Sequence, residues 1–220
     1  MGEIMKKVFL ILVLLAILIG GLGFACYAGR TSVLAYLMRS QLGVPVSMES
    51  LEITQQNAMI SRLWIGNPPP FKSQSAFTAG SIEIDSTYSQ MMGNPLIIDA
   101  INIADINIYL EENNTGKTNW DTILKSSAKP SNRHYLIRNL VLTNLTVQLI
   151  QPDGKIKRYP TLARLEFQNI SDETGFPVSE IEKAIFNQVL KNLYQQLDIQ
   201  NTLKQLIPGG NYIPNIPFFK

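Results

Sequence analysis

The chain has 220 residues, 45% hydrophobic and 16% charged, with a formal net charge of +2. That is too apolar for disorder, too short for several large cores and too nearly neutral for a nucleic-acid binder. A single cysteine, Cys26, and a single histidine, His134, leave no catalytic Cys/His pair and no His-rich metal site.

Much of the apolar excess lies in "VFLILVLLAILIGGLGFACYA", residues 8–28, which contains no charge. As a helix rising about 1.5 Å per residue it would cross roughly 30 Å of hydrocarbon. Lys6 and Lys7 on one side balance Arg30 and Arg39 on the other, so charge alone does not orient the span. The run exceeds the usual signal-peptide core of about 7–15 residues, which favours a retained anchor. A cleaved signal ending at Ala28 is the alternative; lipidation at Cys26 fits less well, because "LGFA" is a poor lipidation box.

"TSVLAYLMRSQLG" follows, with Val33, Leu34, Leu37, Met38 and Leu42 at helical spacing and Gly43 placed to end the helix. From Val44 the period becomes that of strands. "VPVSMESLEIT", "MISRLWIG", "SIEIDSTY", "LIIDAINIADINIYLEE", "YLIRNLVLTNLTVQLIQ" and "ARLEFQNI" are separated by Asn, Gly and Pro clusters. "SSAKPSNR", residues 126–133, is the clearest internal loop and joins two similar halves of one sheet.

Those halves repeat at an offset of 39 residues: Ile98 matches Ile137, Ile101 matches Leu140, Ile103 matches Leu142, and Asp105 matches Asn144. Ile106, Ile108 and Leu110 then match Leu145, Val147 and Leu149. A truncated third copy begins at Ile60 and puts Asn67 in the Asp105/Asn144 position. Side-chain parity reverses at that Asn/Asp step. A β-bulge would return both apolar runs to one face, leaving Asn102 and Val141 outside; a turn splitting each copy in two is the rival. In the first copy Pro68, Pro69 and Pro70 follow the step, and prolines without ladder donors predict a corner of the sheet.

Individual polar residues read as structural. "TGKT" at 115–118 is a turn, because the upstream position that a phosphate loop reserves for glycine is Glu111. His134 belongs to a polar loop, and Asp99, Asp105, Glu111 and Glu112 read as surface charges without calcium-loop spacing. Residues 80–121 hold seven acids and one lysine, whereas residues 125–164 hold eight Lys/Arg and one acid. Cross-strand pairing between the halves, such as Asp99 with Arg138, explains this most simply. A basic rim of Lys155, Lys157, Arg158 and Arg164 meeting anionic lipid is the functional alternative.

Near the end, Ser179 and Glu182 have capping-box spacing, and Ile181, Ile185, Val189, Leu193 and Leu197 recur every four residues. The wide apolar stripe of this helix suits packing on its own sheet, with a partner protein or a membrane surface as alternatives. The tail "IPGGNYIPNIPFFK" is a flexible terminus or a docking peptide.

Taken in order, a membrane run, Leu42-Gly43, Val44 to Val46, Asn67-Pro68 with Phe71, Ile82 to Ile84, Ile97 to Leu110, and Gly116 with Asn119-Trp120 resemble the amino-terminal region of the AsmA family of bacterial envelope proteins. The likeness covers roughly residues 1–150; Pro70 stands where a small residue is usual, and many relatives continue through further β-repeats. The resemblance implies an inner-membrane anchor, a periplasmic body, a twisted β-groove and a role in phospholipid transport or outer-membrane assembly.

The expected fold is α+β: a transmembrane anchor (1–30), a juxtamembrane helix and twisted, mostly antiparallel sheet or groove (31–176), and an amphipathic helix with its tail (177–220). No catalytic residue, metal or cofactor is expected. If the sheet is a groove, its lipid-binding face comprises Ile101, Ile103, Ile106, Ile108, Leu140, Leu142, Leu145 and Val147. Membrane lipid, with phospholipid as cargo, is then the partner, alongside an envelope protein docked through the C-terminal helix or tail. The alternative is a membrane-anchored scaffold whose core is filled. For topology, protease added to intact spheroplasts is expected to degrade residues 31–220, with the anchor still attached. Protection of the body, or a mature amino terminus at Gly29, would overturn that expectation.

Overall fold

The computed structural model describes residues 30–127, 134–171, 180, 183–185 and 187–189. Helix α1 (Arg30–Leu42) opens this part and turns Leu34, Met38 and Leu42 into the core. It stops at Gly43, whose φ of 67° suits glycine and whose N–H donates to the Arg39 carbonyl at 2.8 Å. The sequence places this helix correctly.

Nine strands follow within one sheet: β1 (Val46–Ser47), β2 (Ser50–Ile53), β3 (Asn57–Gly66), β4 (Ser75–Asp85), β5 (Leu96–Ala104), β6 (Asn107–Glu111), β7 (Tyr135–Ile150), β8 (Ile156–Arg158) and β9 (Leu162–Ser171). Two short helices interrupt them, α2 (Tyr88–Met92) and α3 (Asn119–Ser127). The protein is therefore α+β, built on one strand-rich sheet. Its neighbours pair antiparallel except β7, which runs parallel to β5 and β6. The corner expected at the prolines is present: β3 ends at Gly66, Phe71 N–H donates to the Pro68 carbonyl at 3.1 Å, and β4 starts at Ser75.

The parallel pairing gives the repeat its physical meaning. Ile98 lies beside Ile137, Ile101 beside Leu140, Ile103 beside Leu142 and Ile108 beside Val147. The sequence offset is thus the spatial register. A parallel neighbour needs a crossover of a dozen or more residues, supplied here by the 113–117 turn and α3. Helix α3 is not legible in the sequence, because its nine residues follow directly on a turn motif and run into the polar loop that begins at residue 126.

At the repeat's polar step the backbone is left-handed: Asp105 has φ 54° and Asn144 φ 53°. Arg62 in β3 does the same at φ 48°. Register puts Arg62 opposite a glycine, Gly80 of β4, since Ser61 pairs Ser81 and Leu63 pairs Ala79. Gly80 in turn faces Asp105, because Ser81 pairs Ala104 and Thr78 pairs Asn107. A Cβ on Gly80 would approach the Asp105 Cβ and Oδ2 to 3.0 Å. Asn144 Nδ2 donates to Asp105 Oδ1 at 2.9 Å. One line therefore crosses four strands. On both sides of it the buried residues occupy one face: Ile60 then Leu63, Ala79 then Ile82, Ile103 then Ile106, and Leu142 then Leu145.

This differs from the expected bulge in one respect. A bulge adds a residue to one strand, whereas here β3, β4, β5–β6 and β7 change face at the same level and the register is unchanged across the line; the left-handed Asn169 of β9 (φ 53°) lies off it. Strand β7 continues unbroken through Asn144, which removes the turn alternative for that copy. The third copy was misaligned: its step is Arg62, five positions before Asn67, because β3 is brought into line by pairing with β4. Asn67 instead serves the corner.

Residues 183–185 and 187–189 are helical, with Ile185 in the core and Ala184 and Val189 packed against it. Glu180 is helical as well; the other residues of the expected C-terminal helix, the tail and the charge-free run at 8–28 lie outside the described residues. Among the described residues no helix is long and apolar enough to cross a membrane.

The left-handed step predicts an order of tolerance. Asn144→Val should be less stable than Asn144→Gly by about 1–2 kcal/mol, because only glycine escapes the Cβ conflict at positive φ. Both variants lose the bond to Asp105, so equal denaturant midpoints would show that the step carries no strain.

Candidate functional site

The eight residues expected to face lipid stand together on β5, β6, β7 and the step between β5 and β6. Each is 4% exposed or less. They belong to a core cluster that also includes Leu34, Met38 and Leu42 of α1, Trp120 and Ile123 of α3, and Ile185. The apolar face is thus correctly located by its periodicity, and in this conformation it is buried within the protein's own core. On the opposite face Asn102 is half-buried, but Val141 is only 5% exposed, against the expectation that it lies outside. Register sets Val141 between Asn102 and Glu166. A short branched side chain flanked by longer polar ones loses its exposure without entering the core.

A buried polar clasp lies at the corner end of the sheet. Asn119 Nδ2 donates to Asn67 Oδ1 at 2.6 Å and to the Tyr109 carbonyl at 2.9 Å. Its Oδ1 accepts the Glu111 N–H at 3.0 Å, and Trp120 Nε1 donates to the same Tyr109 carbonyl at 3.0 Å. Asn67 Nδ2 also donates to the carbonyls of Ser73 at 2.9 Å and Ser75 at 3.3 Å. The Glu111 carboxylate accepts from the backbone N–H groups of Lys72 at 2.8 Å and Ser73 at 2.7 Å, and from Ser73 Oγ at 2.6 Å. Asn67 and the distant pair Asn119-Trp120 thereby hold the proline corner against β6 and α3.

Glu111 corrects the sequence reading, which took it for a surface charge. It is buried, and the residues that bind it lie 38 and 39 positions earlier. No local pattern announces that partnership. Burial pushes its pKa up, but the Ser73 hydroxyl and the Lys72 and Ser73 N–H groups outweigh this and hold the carboxyl below its ordinary value. Such a carboxylate stays ionised and engaged. That suits a structural latch better than a proton carrier.

The remaining polar candidates resolve into local structure. Asn113 Oδ1 accepts from Thr115 and Lys117 N–H, and Gly116 has φ 74°, so "TGKT" is a turn. His134 is exposed at the start of β7, where its carbonyl accepts the Leu96 N–H at 2.8 Å. Arg138 reaches Asp99 at 2.5 Å, as the repeat predicts, and Gln90 Nε2 donates to the other Asp99 oxygen at 2.9 Å. Within the basic rim, Lys155 pairs with Asp153 at 2.7 Å and Arg164 with Glu166 at 3.0 Å, while Lys157 lies 5.2 Å from the Tyr159 ring centroid. Exposed pairs of this kind add little stability. Among the described residues no group of three or more His, Cys, Asp or Glu could hold a metal ion. No family profile, curated protein or solved structure matches the chain.

The clasp makes stability depend on pH in a defined direction. Because the folded-state pKa of Glu111 is depressed, its stabilising contribution is complete above the unfolded value of about 4.3 and is lost as pH falls through the folded value. Glu111→Gln should therefore cost about 1.5–3 kcal/mol at neutral pH, the range for hydrogen bonds to a charged group, and progressively less in acid. A wild-type-to-variant difference that stays constant from pH 7 to acid would contradict the charged latch.

Proposed function

We propose that this chain is a non-enzymatic, inner-membrane-anchored periplasmic protein of AsmA-like type that contributes to envelope assembly as an interaction scaffold. The observation that carries the scaffold reading is the covered sheet face: all eight residues suited to acyl chains are already within a core shared with α1, α3 and Ile185. An acyl chain gains about 0.8 kcal/mol per CH₂ on leaving water, but only if it meets apolar surface not already occupied by protein. Here cargo would first have to displace side chains of that core.

The anchor follows from the charge-free run at residues 8–28, and the periplasmic orientation from the AsmA resemblance. The clasp supports that resemblance, since Asn67, Asn119 and Trp120, all part of its signature, act together in holding the corner. Lipid contact is assigned to the anchor and the membrane surface, and the partner class is an envelope protein. Neither a reaction nor a cofactor forms part of the proposal.

Small aliphatic diazirine probes at Ile106 or Leu145, activated in cells, distinguish the filled core from a groove. They are expected to capture residues of the surrounding core, and no more lipid than probes at Asn107 or Thr146. Preferential lipid capture at Ile106 and Leu145 would overturn the filled-core scaffold and restore lipid carriage along the sheet.

A further inference from the structure

Helix α1 buries one apolar side and leaves Val33 and Tyr36 exposed on the other, beside Ser32, Arg39 and Ser40. Its sequence, RTSVLAYLMRSQL, contains two arginines and no acid. Leu34, Met38 and Leu42 enter the core, and Ala35 is buried beside them. At 3.6 residues per turn, Val33, Tyr36, Leu37 and Ser40 fall on the opposite side. Tyr36 is 68% exposed and Val33 36% exposed. A helix packed on a core by one face ordinarily presents charge on the other. Here that second face offers an aliphatic residue, a phenol, a half-buried leucine and a hydroxyl.

The position of this face in the chain indicates what covers it. The charge-free run ends at Ala28, and α1 begins at Arg30. From Arg30 to Tyr36 the helical rise is about 9 Å. The headgroup layer on each side of a bilayer is roughly 5–8 Å deep. A helix beginning this close to the end of a membrane span brings Val33 and Tyr36 to the lipid surface when it lies along that surface. Tyrosine suits the location, with its ring among the upper acyl chains and its hydroxyl among headgroups and water. The neighbouring Arg39 does not disturb the face, because its Nε donates to the Val46 carbonyl at 2.9 Å.

We infer that the outward face of α1 docks on the bilayer surface, with Val33 and Tyr36 immersed at the headgroup boundary. This rests on the anchor reading and extends it. Because α1 also contributes Leu34, Met38 and Leu42 to the core, its docking fixes the orientation of the whole sheet relative to the membrane. The body is held against the lipid and does not swing on a tether.

The test uses the full-length protein with Cys26→Ser, reconstituted in phosphatidylethanolamine–phosphatidylglycerol nanodiscs. Single cysteines at Leu15, Val33, Tyr36 or Ile156 carry a nitroxide, and its relative accessibility to oxygen and to a water-soluble nickel chelate reports immersion. Ile156 is a control for apolar exposure elsewhere, being 54% exposed on β8. The oxygen-to-nickel ratio at Val33→Cys and Tyr36→Cys should exceed that at Ile156→Cys several-fold and approach that at Leu15→Cys. A water-like ratio at both α1 positions, with position 15 immersed, overturns the docking and leaves the anchor standing. A water-like ratio at position 15 overturns both readings. Equal ratios at positions 36 and 156 overturn the docking whatever their value.

Discussion

A strand that takes one left-handed step exchanges its two faces, so each later side chain points the other way. Alone, that step would send half of the strand's apolar residues into water. The sheet survives because Arg62, Gly80, Asp105 and Asn144 lie on one line across β3, β4, β5–β6 and β7. The inner face stays apolar from end to end, and the long strands form one wall of a single core. Chemistry along the line follows from crowding. Asp105 and Asn144 tolerate left-handed backbone and bond to each other, while Gly80 leaves room for the Asp105 side chain.

The second constraint operates at the proline corner. Prolines 68–70 end the pairing of β3, but a corner without ladder bonds still needs partners for its backbone groups. Glu111 supplies acceptors for two N–H groups of the loop, and Asn67 supplies a donor for two carbonyls. Asn119 joins both to β6 and to the first turn of α3, beside Trp120 in the core. The crossover helix and the corner are therefore fixed by one network. Removing any member exposes polar groups that the others cannot satisfy.

Much of this was legible before the structure. Alternation located the inner residues of β5–β7, and the repeat located Asp105, Asn144 and the Asp99–Arg138 pair. The prolines located the corner. Other features leave no local trace. Alternation is the same in parallel and antiparallel strands, so it could not show that the two halves run side by side in one direction. Arginine does not advertise a left-handed step, yet Arg62 takes one opposite Gly80, at the level where Asp105 and Asn144 take theirs. Glu111 finds its partners through the fold. Periodicity also identifies an apolar face without saying what lies over it, which is why an open groove and a filled core read alike.

The match between repeat length and parallel register bears on how such a sheet can change size. A duplicated segment of 39 residues carries a strand, its step, a turn and a crossover, and returns the chain one strand further across at the same height. Whole copies could be added or removed while the line of left-handed residues stayed straight. A one-residue insertion within a strand would displace that line and turn every residue beyond it inside out. Growth by units is tolerated where growth by single residues is not, so the geometry quantises the lengths that this architecture can explore.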